Sequence, residues 1–152
     1  MPDLYITMAV PNPAGMDRTP ANRVTNDQLN GEWLEFKNIS LQIVSLTNVK
    51  LAHYTFDDHC KKTGEADLVT FGQGSLASGK GIRVHTGRGE GWWEGDIYHF
   101  YSGHGNFVWN NKCGDTAVFR NPAGTVIDWA YYDPNPGEGA VLRRIQNTNK
   151  LA

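Results

Sequence analysis

"DTAVFRNPAGTVIDWAYY", residues 115–132, is the stretch on which the fold turns. Ala117 and Phe119 alternate with Thr116, Val118 and Arg120, the two-residue period of a strand with one buried face. Asn121-Pro122-Ala123-Gly124 then supplies a type I or II turn, with proline presetting φ and glycine free to adopt a positive value. Two extended runs joined so tightly predict an antiparallel hairpin.

The same period recurs outward from that hairpin. In "NGEWLEFKN", residues 30–38, Leu34 and Phe36 fall on one side of an extended chain and Trp33, Glu35 and Lys37 on the other. A strand is expected over 32–37. Another is expected over 82–86 after a turn at Gly79–Gly81, with Ile82 and Val84 inward and Arg83 and His85 outward. Residues 3–10 read as a first strand, and "EGDIYHFYSG" (94–103) as a further one. No stretch carries a 3.6-residue apolar period with caps. Short strands every 8–12 residues or so, punctuated by glycine, proline and asparagine, predict a β-sandwich or barrel.

Three segments break the pattern. Residues 11–31 are rich in Pro, Asn, Asp and Gly and read as a long loop, of the kind that is usually functional or mobile. Residues 57–67 read as a polar insertion. Residues 133–152 break at Pro134 and Pro136 and read as an edge strand or a loosely docked tail.

The totals are those of one soluble domain: 152 residues, 39% apolar, 20% charged. A net charge of −2 gives no electrostatic footprint for nucleic acid. No apolar run approaches the roughly 20 residues of a membrane span. The opening "MPDLYITMAV" lacks a basic region and a sustained apolar core, so no leader is present as written. The expected location is secreted or cell-surface if a leader has been removed, and cytoplasmic otherwise. Cys60 and Cys113 pair in an oxidising compartment or remain free thiols in a reducing one.

At this point the residues carry a resemblance. "NGEWLEFKNIS", "HYTF", "SLASGKGIRVHTGRG" and "FVWNNKCGDTAVFRNPAGTVID" resemble, in that order, the lamin tail domains, with the bacterial branch the nearer match, over residues 4–132. The resemblance implies an immunoglobulin-like β-sandwich over 1–132, followed by an extension at 133–152. It also implies a non-catalytic module: the globular end of nuclear filament proteins in animals, and in bacteria an accessory domain beside secreted or membrane-attached hydrolases and nucleases. No coiled-coil rod precedes the domain here, which argues against a filament role.

Candidate chemistry is sparse. "GSLASGKG" (74–81) approaches a phosphate-binding loop, but Gly81 stands where a Ser or Thr must reach magnesium, and a strand follows instead of a helix. Histidines and cysteines show no paired zinc spacing. Asp17, Asp27 and Glu32 are weak calcium candidates set against an ordinary Asx-rich turn region. No nucleophile elbow is present, and no cofactor is expected.

Trp33, Arg88, Trp92, Trp93 and His104 are the expected contact residues. They sit on a strand face, on the glycine-rich stretch "TGRGEGWW" (86–93), or just beyond it. The leading expectation is a protein-binding or cell-surface interaction module that also self-associates weakly through an edge strand. A nucleic-acid-associated accessory domain, and a metal-dependent or hydrolytic accessory protein, are the alternatives. Trp33 poses the sharper question. Either the N-terminal segment or the long loop folds over its ring, or the ring joins an exposed aromatic patch.

Overall fold

A computed structural model describes residues 2–15 and 24–152. Two β-sheets pack face to face. The first has six strands in the order β12 (Leu142–Arg143), β1 (Leu4–Val10), β2 (Trp33–Asn38), β7 (Gly81–His85), β9 (Ile97–Tyr101), β8 (Trp92–Glu94). The second has four: β11 (Val126–Tyr132), β10 (Asp115–Arg120), β4 (Lys50–Phe56), β5 (Lys62–Thr70). A two-stranded piece, β3 (Val44–Ser45) with β6 (Ser75–Leu76), closes one end. Neighbours run antiparallel except β7 and β9, because the chain leaves β7 for the edge, forms β8, and returns as β9 between them.

Alternation sets the core. Leu34 and Phe36 of β2 and Phe119 of β10 are all but fully buried, and the Phe36 and Phe119 rings meet edge to face at 4.4 Å. Phe36 also contacts Phe71, which in turn packs on Phe100. The predicted hairpin forms as β10–β11, Ala117 opposite Ala130 and Val118 opposite Trp129. Gly124 takes φ +86 and its N–H donates to the Asn121 carbonyl. Ala123 has no positive φ, so the turn is type I followed by a left-handed glycine.

Some expectations change, and two open ones are narrowed. Residues 57–67 are not an insertion: Asp57 Oδ1 accepts the His59 and Lys61 amides in a tight turn, and β5 starts at Lys62. β5 is an edge strand, so its charges face water and hide its period. The region 11–31 contains α1 (Asn26–Gly31), started by a reciprocal capping box between Thr25 and Gln28. Residues 133–152 dock as an edge: β12 pairs with β1, Arg144 binds Asp128, and Leu151 is buried. Cys60 and Cys113 form a disulfide, tying the 57–61 turn to the segment before β10. No helix among the described residues is long and apolar enough to cross a membrane.

Candidate functional site

The outward face of β2, β7, β9 and β8 gathers most of the chemistry. Glu35 points outward as expected, yet it is 2% exposed. Arg83, its cross-strand partner, donates to Glu35 Oε1 through Nε (3.2 Å) and Nη2 (3.0 Å), and Thr7 Oγ1 approaches Oε2 at 3.3 Å. The Arg83 guanidinium lies over the Trp33 ring. The neighbouring strand's arginine thus covers one face of Trp33, which is half-buried; residues 16–23 of the long loop lie outside the described residues.

Two strands further along, a polar chain runs through the same face. His85 Nδ1 lies 2.7 Å from the Asn30 carbonyl and so carries the hydrogen. Its Nε2 is therefore an acceptor for His99 Nδ1–H at 2.7 Å, and His99 Nε2 reaches Glu94 at 2.8 Å. Burial pushes the His85 pKa down, and the nearby His99 and Arg83 push the same way against the Asn30 carbonyl. Trp92 lies flat on His99, ring centroids 4.3 Å apart, and its indole N–H donates to the Tyr101 hydroxyl.

β8 places its two tryptophans on opposite faces, as any strand must. Trp92 is 47% exposed on the outer face and Trp93 is 54% exposed on the inner one. Trp93 meets Tyr98 edge to face at the mouth of an open groove of about 320 Å³ lined by Leu46, Phe71, Leu76, Ile82 and Phe100. β8 is the last strand of its sheet, so among the described residues its outer backbone edge has no strand beside it.

The other expected residues fall differently. Arg88 is exposed, but its backbone is held: its N–H donates to Asn26 Oδ1 and its carbonyl accepts from Asn26 and Asn30. A Cβ on Gly87 would collide with those two asparagine side chains, so only glycine permits the approach. His104 is half-buried, Nε2 on the Leu68 carbonyl, and clamps its loop to β5 rather than standing free. Asp27 is exposed on α1. Glu32 is buried, Oε1 accepting from Thr86 Oγ1 (2.7 Å) and the Val108 amide (2.8 Å). These two carboxyls do not converge, and Asp17 lies outside the described residues. Among the described residues no group of three or more His, Cys, Asp or Glu is placed to hold a metal ion.

Sequence reasoning missed the partners His85, His99, Glu94 and Tyr101, which meet through the antiparallel β8–β9 pairing and the parallel β7–β9 pairing. It also missed Trp129 and Tyr131, nearly parallel rings on the outer face of the second sheet beside the Arg120–Glu65 ion pair. The outward alternation of Trp129 with inward Ala130 was the available signal.

Two facing sheets with an unpaired, tryptophan-bearing edge define an immunoglobulin-like β-sandwich module. A family model, Lamin Tail Domain, matches residues 2–134, and the chain belongs to the lamin tail domain family. No curated protein matches the chain.

Proposed function

We propose that this chain is a non-catalytic lamin-tail module that captures a protein or cell-surface partner along β8. The observation that carries the reading is the pair Trp92 and Trp93, each about half exposed on an edge strand three residues long. An incoming extended segment finds free backbone groups along such an edge and an indole on either face. Aromatic side chains of this kind dominate binding energy at interfaces. The Cys60–Cys113 disulfide supports work in an oxidising compartment, hence secreted or at the cell surface.

The test is capture of a partner from a cell-surface extract by the immobilised chain, compared with the Trp92→Ala/Trp93→Ala double variant. Capture falls while the melting temperature stays nearly unchanged. Capture that survives the double variant removes the reading, and a collapse in melting temperature reassigns the pair to the core.

A further inference from the structure

At one end of the sandwich three loop stretches carry no charge, although Asp3 and Asp96 lie at the same end. Residues 38–49, 68–79 and 121–127 contain no Asp, Glu, Lys, Arg or His. The backbone brings these stretches together. The Asn38 amide donates to the Lys80 carbonyl, that of Leu46 to Gly74 and that of Asn48 to Phe71. Lys50 pairs with both Thr70 and Arg120, which places the β10–β11 turn at the same end. The opposite end carries Asp57, Asp58, Lys61, Arg88, Glu90 and Lys112.

From the end with the uncharged loops three aliphatic side chains project: Leu41 at 92% exposure, Ile43 at 71% and Ile39 at 40%. They alternate with Ser40, whose hydroxyl turns inward to Asn38, and with Gln42, which is itself exposed. Fully buried Asn38 enforces this. Its Nδ2 donates to the Gln42 and Leu76 carbonyls at 2.8 Å each, and its Oδ1 accepts from the amide (3.0 Å) and hydroxyl (2.7 Å) of Ser40. The Ile39 amide donates to the Asp3 carbonyl. The loop cannot collapse to hide its own tips.

Just behind the tips stand Lys37, Lys50, Lys80 and Arg120, at or next to the ends of their strands and turns. Asp96 holds Lys80, Asp67 holds Lys50 and Glu65 holds Arg120, so the collar adds position more than net charge. A protein partner forming a stable interface covers about 800 Å² on each side. Three convex aliphatic tips fall well short of that by themselves. A bilayer imposes no such threshold, because each side chain partitions on its own and nearby cations settle at the phosphate level.

We propose that this end docks on a phospholipid surface, with Ile39, Leu41 and Ile43 in the boundary between headgroups and acyl chains. Lys37, Lys50, Lys80 and Arg120 then lie among the phosphates. The contact is peripheral and reversible, and it leaves β8 free.

The test is co-sedimentation of the full chain with vesicles of phosphatidylcholine and phosphatidylglycerol. The parent sediments with the vesicles, and Leu41→Ser/Ile43→Ser lowers the partition coefficient at least about tenfold with an unchanged melting temperature. Trp92→Ala/Trp93→Ala sediments like the parent, which keeps this result apart from the β8 reading. Three results overturn the proposal: no vesicle binding by the parent, undiminished binding by the Leu41/Ile43 variant, or a vesicle-indifferent dimer that the same variant turns into monomer.

Discussion

The guanidinium carbon of Arg83 lies 3.8 Å from the centroid of the Trp33 ring, and the same guanidinium holds the buried carboxylate of Glu35. One side chain thus resolves two oddities of β2, an outward tryptophan and an outward acid with almost no exposure. Removing Arg83 leaves a desolvated carboxylate whose remaining side-chain hydrogen-bond partner, among the described residues, is Thr7.

Arg83→Met is therefore expected to cost about 2–4 kcal/mol, somewhat below the figure for breaking a fully buried pair because the Arg83 side chain is 26% exposed. Arg83→Lys recovers little, because a point charge neither forks onto Glu35 nor stacks flat on the indole. Arg83→Met/Glu35→Leu recovers most of the loss. Urea denaturation of the three variants measures this, and a double variant no better than Arg83→Met contradicts it.

Glu32 makes stability depend on pH in an unusual sense. Burial pushes its carboxyl from an ordinary 4.5 up to about 7, against hydrogen bonds from Thr86, Val108 and Trp109 that pull it down. The unfolded chain releases this proton near pH 4.5 while the folded chain keeps it to about 7, so N binds more protons than U in between. The contribution is full below 4.5 and falls as pH rises to about 7, by up to about 3 kcal/mol. His85 works the other way: its depressed pKa costs stability as pH drops below its ordinary 6.5. Glu32→Gln keeps an acceptor for Thr86 and Val108 without a charge. Its stability relative to the parent is expected to improve steadily from about pH 5 to 7 and then level off. A difference constant across urea melts at several pH values rules this out.

The Cys60–Cys113 disulfide spans a sequence separation of 53 residues and ties the β4–β5 turn to the loop before β10. Chain-entropy arguments assign such a crosslink about 4 kcal/mol, chiefly through the unfolded state. Cys60→Ser/Cys113→Ser is expected to lower the thermal midpoint substantially while the far-ultraviolet dichroism at low temperature stays that of β-sheet. Treatment of the parent with a reductant should reproduce the shift. A midpoint unmoved by either change shows the bond is not formed in solution.

How far these features could be read from the chain depends on the range of the interaction behind each. The β10–β11 hairpin is legible because its period and its Pro-Ala-Gly turn are local. Leu34 and Phe36 are legible for the same reason. β5 is obscured because Lys62, Glu65 and Asp67 answer to its position at a sheet edge, which no local pattern reveals. α1 is too short for periodicity, and only the Thr25–Gln28 box announces it. The burial of Glu35 depends on β7, paired with β2 from more than forty residues away, and the His85–His99 contact on the β7–β9 crossover. Two cysteines alone leave their pairing open.

The C-terminal segment gives the last test. The family match ends at residue 134, yet the Arg144 side chain is 6% exposed and donates both to the Asp128 carboxylate, a side chain 5% exposed, and to the Ile6 carbonyl. Asp128 Oδ2 also accepts the Ile6 amide, so one buried carboxylate joins β11, β1 and the tail across the two sheets. Arg144 further stacks over Tyr5. Arg144→Ala strands that carboxylate and is expected to cost about 3 kcal/mol or more. Truncation after residue 134 does the same and uncovers the β1 edge, so the shortened chain should aggregate on refolding. Arg144→Ala with Asp128→Asn should regain part of the loss, since an amide keeps one acceptor for Ile6 without the unpaired charge. Midpoints from urea melts decide this. A truncated chain as stable and monomeric as the parent would make the tail an ornament instead of a structural strand.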